Sequence, residues 1–139
     1  MSDVTTTAPD QVQTTTLTAL PAVGAPFLQG IFAGVTTTKA GTHCAVVLLP
    51  DQPSGRLHWQ AAMDWAKSVG AELPTRPVSA LLFANLRDKF ERAWYWTSEQ
   101  HEDDGACAWD QNFYDGNQDD SRTSYEGRVR AVRLIPLTA

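Results

Sequence analysis

Two apolar runs rich in β-branched residues, 31–35 and 43–49, flank Lys39-Ala40-Gly41. Extended runs joined by a short glycine-containing segment predict a β-hairpin. Asp51-Gln52-Pro53-Ser54-Gly55 then marks a turn. From Trp59 the period changes. Trp59, Ala62, Met63, Ala66 and Val69 recur at helical spacing, and Gly70 follows as a stop. A second helix is predicted from about Pro77 to Lys89, with Thr75 as N-cap and Pro77 in the first turn, where a missing N–H does no harm. Its buried stripe is Leu82, Phe83, Leu86 and Phe90. Beyond it, residues 94–98 read as a strand and 99–105 as a polar loop. Residues 106–113 alternate without declaring which face is inward, and Asp115-Gly116 is a tight-turn pair. Residues 117–126 form an acidic, hydroxyl-rich excursion, and 129–135 close the chain as an apolar strand. The order β-β-α-α followed by further strands predicts an α+β domain with two helices packed on antiparallel sheets.

The first 29 residues differ from the rest. They hold Thr5-Thr6-Thr7, Thr14-Thr15-Thr16, Pro9, Pro21 and Pro26, with few charges or aromatics. By itself such a segment buries too little apolar area to offset its ordering entropy. The expected division is therefore an extended or disordered N-terminal arm, 1–29, and a domain, 30–139. The arm is either a disordered leader or a strand-like tether that orders along a partner subunit. In the second case Leu17, Leu20, Val23 and Phe27 are its anchors.

A chain of 139 residues, 42% hydrophobic with five Trp, five Phe and three Tyr, can build one real core. Its net charge of −5 argues against a nucleic-acid partner, which requires a basic face. Arg128, Arg130 and Arg133 alternate with apolar residues and read as the polar face of a strand. Cys44 and Cys107 are too few for a disulfide framework and lie in apolar runs, as small buried hydrophobes do; a bridge between neighbouring strands stays open. No apolar run reaches the roughly 18 residues of a membrane span, and no signal-peptide pattern opens the chain. The expectation is a protein made in the cytoplasm, without membrane insertion.

Candidate chemistry favours recognition. Glu102-Asp103-Asp104, with Asp110, Asp115, Asp119 and Asp120, offers carboxylates for calcium, but neither acidic loop has the spacing of a calcium-binding helix-loop-helix. His43 and Cys44 point to opposite faces of a strand, and His58 and His101 have no close partner in sequence for zinc. Ser98 lacks nucleophile-elbow glycines, and an acidic setting holds the Cys107 thiol protonated. No metal, cofactor or catalytic residue is expected. Trp109, Tyr114 and Tyr125, by contrast, are interleaved with Asp110, Gln111, Asn112, Asn117 and Gln118, a mixture suited to sugar or protein binding. The expected ligand-binding residues are Trp109, Asp110, Asn112, Tyr114, Asn117 and Tyr125. The flanking loops add His101, Asp103, Asp104, Asp119 and Asp120.

Several motifs fall in an order that resembles the Lcl C-terminal domain family, whose members are frequent in tailed phages and prophages. They are Leu73-Pro74-Thr75-Arg76, Trp94-Tyr95-Trp96-Thr97-Ser98, Ala108-Trp109, Phe113-Tyr114-Asp115-Gly116-Asn117-Gln118 and Glu126-Gly127-Arg128-Val129-Arg130-Ala131-Val132-Arg133. The resemblance covers about residues 30 to 135 and implies a C-type-lectin-like fold with a loop-built ligand surface on its final strands. It implies no activity, because fold is not function. The Glu-Pro-Asn and Trp-Asn-Asp triplets of calcium-dependent lectins are missing, as is the close cysteine pair of formylglycine-generating enzymes. The fold is shared by the variable proteins of diversity-generating retroelements. Here His101, Asp103, Asp104, Asp119, Asp120, Ser121, Thr123, Ser124 and Tyr125 are all reachable from an Asn codon by adenine changes.

The resulting expectation is a non-enzymatic virion structural protein, with the lectin-like domain displayed and the arm bound to a capsid or tail subunit. The alternative is a recognition module for host-surface glycan or protein, such as a tail adhesin.

Overall fold

The computed structural model describes residues 13–138, an α+β fold of two sheets and two helices. In chain order the elements are β1 (Thr15–Thr16), β2 (Pro26–Phe27), β3 (Gly30–Thr37), β4 (His43–Leu48), α1 (Trp59–Ser68) and α2 (Arg76–Leu86). They continue with β5 (Trp94–Gln100), β6 (Cys107–Asn112), β7 (Gln118–Arg122) and β8 (Val132–Thr138). One sheet has the order β1-β8-β4-β3-β2, and the other is β5-β6-β7.

Strand β4 runs through the middle of the larger sheet, between β3 and β8, and Cys44 through Leu49 are buried without a break. Side chains of a strand alternate between faces. Val46 and Leu48 accordingly join Val78, Leu82 and Leu86 of α2, while Ala45, Val47 and Leu49 join Phe32 and Ile135 on the opposite face. Helix α2 starts where Thr75 Oγ1 accepts the Val78 N–H at 3.3 Å, with Pro77 in the first turn. It is wedged between the sheets, because Tyr95 and Phe113 of the smaller sheet and its edge complete the same cluster. Helix α1 is capped by His58 Nδ1, which accepts the Ala61 N–H, and it buries Ala62 and Ala66 against Trp96 and Ala108. The smaller sheet is thus covered by α2 on one face and α1 on the other.

Several expectations are corrected. Residues 15–27 contribute strands to the larger sheet: β1 pairs in parallel with β8, and β2 pairs with β3. Leu20 and Phe27, expected as anchors for a partner, pack on their own domain, Phe27 edge-on to Phe32 at 5.9 Å. Leu17 and Val23 are exposed. The arm's Thr5-Thr6-Thr7 and Pro9 lie outside the described residues. The excursion at 117–126 contains strand β7, because the open edge of β6 supplies backbone partners from Gln118 to Arg122.

The last strand begins at Val132, not at 129. Residues 127 and 57 instead exchange two backbone hydrogen bonds of 2.9 Å, and Gly127 lies so close to Trp94 that a Cβ would stand 2.3 Å from the ring. Arg130, expected on a polar face, is buried. It donates to the carbonyls of Lys89 (2.8 Å) and Leu49 (2.9 Å). Cys44 and Cys107 are both free thiols. No helix among the described residues is long and apolar enough to cross a membrane.

Candidate recognition surface

The N-terminus of α2 lies over the smaller sheet, on the face that carries Trp109 and Gln111 of β6 and Gln118 of β7. Strand alternation puts residues 109 and 111 on one side, and register sets Gln111 opposite Gln118. Arg76 stacks its guanidinium on the Trp109 ring, 3.6 Å from the centroid, and the His101 ring also stacks on Trp109 at 5.1 Å. Flat cations and flat rings attract through the ring quadrupole as well as by contact.

A chain of amides fixes the arrangement. Arg76 Nε donates to Gln118 Oε1 at 2.9 Å, and Gln118 Nε2 donates to the Arg76 carbonyl and to Gln111 Oε1. Gln111, fully buried, passes its own N–H to the Gly116 carbonyl at 3.0 Å. The Arg76 backbone N–H donates to Glu99 Oε2 at 2.8 Å, which places a carboxylate at the positive end of the helix. Thr97 Oγ1 donates to the Trp109 carbonyl and accepts the Glu99 N–H, holding the irregular end of β5. The terminal nitrogens of Arg76 have no hydrogen-bond partner among the described residues. They border a groove of about 440 Å³ lined by Lys39, Pro77, Glu99, Gln111 and Gln118. A neighbouring recess of about 370 Å³ shares Lys39, Pro77 and Glu99 with it.

The expected binding residues divide into groups. His101 and Trp109 meet at this surface, and Asp120 lies opposite Trp109 in the β-ladder. Asn112, Tyr114 and Asn117 gather at the β6–β7 turn. There Asn112 Oδ1 accepts the Tyr114 N–H, the Asn117 N–H donates to Asp115, and Gly116 takes φ +86°. Tyr114 is exposed, with Arg92 over its ring at 4.7 Å, and Tyr125 is exposed beyond the far end of β7. Asp103, Asp104 and Asp119 are exposed. The Asp103 N–H donates to His101 Nδ1, and Asp104 accepts from the Ala106 N–H.

Asp110 is corrected. It occupies the opposite face of β6 from Trp109 and Gln111 and is 4% exposed, so it is not part of this surface. Desolvation pushes its carboxyl up to about 6, against the lowering effect of the Ser121 hydroxyl, which donates to it at 2.8 Å. Trp109 likewise serves as a platform for Arg76 and His101, and its buried indole N–H has no acceptor among the described residues.

His101, Glu102 and Asp103 can bring one ligand atom each within 4.8 Å of one another, but exposed acidic groups so arranged are common without an ion. The Cys107 thiol is pushed up by desolvation and then by Asp104, 3.6 Å away, which works against a thiolate nucleophile.

Sequence reasoning missed Arg76, Glu99 and Lys39 as members of one surface. Gln111 and Gln118 stand among the polar residues interleaved with the aromatics, but Arg76 is 42 residues from Gln118. The available signal was an arginine directly after a helix-capping threonine, Thr75-Arg76, a position from which a long side chain reaches outward from the first turn. Compared with known proteins, the chain matches no family model and no curated protein.

Proposed function

We propose that the chain is a non-enzymatic structural protein of a phage or prophage particle, made in the host cytoplasm and displaying a C-type-lectin-like domain. Its groove beside Arg76 binds a host-surface glycan or protein. The observation that carries the binding reading is the Arg76–Trp109–His101 stack. A guanidinium is locked in place by a ring and by Gln118, while its terminal nitrogens stay unpaired beside an open groove. Preorganised donors of this kind lower the ordering cost of binding, and guanidinium forks suit carboxylates and vicinal hydroxyls. The virion reading rests on the family resemblance of the motifs between 73 and 133. Exposed Leu17 and Val23, together with the residues before Gln13, supply the contact with a capsid or tail subunit.

The test is made on particles. Mass spectrometry of purified virions is expected to find the protein in fixed copy number, and deletion of residues 2–12 is expected to remove it. Particles carrying Arg76→Ala should keep the copy number yet adsorb to host cells about tenfold less, the loss expected for a charge-assisted contact. Absence from particles refutes the virion reading, and unchanged adsorption refutes the groove.

Asp120 and His101 both adjoin Trp109, which favours a second reading as a retroelement-diversified variable protein. A near-identical template repeat downstream of the gene tests it.

A further inference from the structure

A second recess lies away from the groove, under the irregular segment that follows β4. It measures about 360 Å³ and is lined by Gln52, Pro53, Gly55, Arg56, Glu91, Tyr95, Arg128 and Val129. This volume falls within the range of small-ligand sites. Neither Arg56 nor Arg128 has a side-chain hydrogen bond or an ion pair among the described residues. Two guanidiniums against the single carboxylate of Glu91 leave the lining with one net positive charge, in a protein whose net charge is −5.

The back wall is rigid. Tyr95 is 5% exposed, and its ring is held edge-on by Phe90 at 5.1 Å and Phe113 at 5.2 Å. Its hydroxyl oxygen accepts the Glu91 N–H at 2.9 Å, while its own proton has no acceptor among the described residues. That proton is therefore available to a ligand in the recess. Desolvation raises the Tyr95 phenol, ahead of the opposing effects of the Glu91 N–H hydrogen bond, Arg130 and Arg128. The Gln52 side chain is likewise without a partner among the described residues.

We infer that this recess binds the carboxylate of an acidic sugar, held between Arg56, Arg128 and the Tyr95 hydroxyl, with Gln52 and Gly55 meeting the ring hydroxyls. Paired guanidiniums and a phenolic O–H are complementary to a carboxylate. The neutral polar groups beside them match a hydroxyl-rich ligand better than an apolar one. This site is independent of the groove at Arg76.

The experiment is calorimetric and NMR titration of the full chain with glucuronate, using glucose and inorganic sulfate as controls. Glucuronate is expected to bind with a Kd in the millimolar range or tighter, and glucose at least about tenfold more weakly. Arg56→Ala removes an exposed side chain and should weaken glucuronate about fivefold, with Arg128→Ala weakening it more. Tyr95→Phe keeps the ring packing and should weaken binding several-fold, whereas Glu91→Gln should tighten it by removing a like charge. Amide shifts should centre on residues 52–56, 91–95 and 128–129. The proposal is overturned if glucuronate does not bind at about 10 mM, if glucose binds equally, or if Arg56→Ala and Glu91→Gln leave affinity unchanged. Sulfate binding as tight as glucuronate overturns the sugar assignment, because the recess would then read charge alone.

Discussion

The two sheets of this protein differ at their polar positions. In the larger one, six consecutive residues from Cys44 to Leu49 are buried, and both faces of β4 meet apolar clusters. In the smaller one, β7 reads Gln118-Asp-Asp-Ser-Arg122 with none of its residues buried, and its neighbour β6 packs a carboxylate and an amide at Asp110 and Gln111. The first sheet is held by area removed from water. The second also buries Tyr95, Trp96 and Ala108, but adds directed bonds among Arg76, Gln118, Gln111 and Thr97. Hydrophobic burial tolerates many sequences, whereas a polar network fixes one geometry. The protein therefore keeps a forgiving frame on one side and an exacting surface on the other.

Helix α2 belongs to both, and Leu82 is the residue that tests whether they are one unit. It is fully buried between Val46 and Leu48 on one side and Tyr95 and Phe113 on the other. Leu82→Ala is expected to cost about 3 kcal/mol in denaturant unfolding. All five tryptophans lie in α1, β5 and β6, so their fluorescence reports the smaller sheet and its helix while circular dichroism reports the whole chain. The two transitions should coincide in the variant, and separate midpoints would show that the sheets melt independently.

Asp110 sharpens the contrast at its weakest point, a carboxyl inside the polar sheet. The folded state holds its proton more tightly than the unfolded chain, since burial lifts it from an ordinary 3.8 to about 6. Between those values the native state binds more protons, so stability falls as pH rises through that window and stays lowered above it. Asp110→Asn, which keeps an acceptor for the Ser121 hydroxyl, should stabilise the protein by on the order of 2 kcal/mol at pH 7.5. The gain should vanish near pH 4, and a pH-independent difference would refute the assignment.

The smallest effect belongs to the edge of the larger sheet. Leu28 and Gln29 connect β2 to β3 with φ of 48° and 68°, a left-handed turn that favours Asn and Gly. Gln29 is exposed, so Gln29→Gly relieves strain without losing packing. It should raise thermal stability by about 0.5 kcal/mol, because the added freedom of the unfolded chain offsets part of the gain.

What the sequence made legible follows the same division. The β3–β4 hairpin, α1 with its stop at Gly70, and α2 with its Thr75 cap could be read because their signals are local: runs, periods and caps. Strand β7 could not. Gln-Asp-Asp-Ser-Arg carries no extended-structure preference, and its conformation comes from the backbone of β6. Arg130 looked outward because its neighbours alternate, yet residues 127–131 leave the ladder and turn it inward. At the recognition surface, His101 and Trp109 were readable as aromatic and polar residues near each other in sequence. The arginine they support came from a helix 33 residues before Trp109, and only the folded topology joins them.

Arg130 also couples two distant stretches of backbone. One guanidinium grips the carbonyl after β4 and the carbonyl at the end of the turn after α2, at Leu49 and Lys89, while lying over the Phe90 ring. The segments that leave those carbonyls, 50–56 and 90–95, are the walls of the recess that holds Arg56 and Tyr95. A single side chain thus ties both walls of that recess together. The two walls share one anchor, and displacing either carbonyl would leave part of a buried guanidinium unpaired.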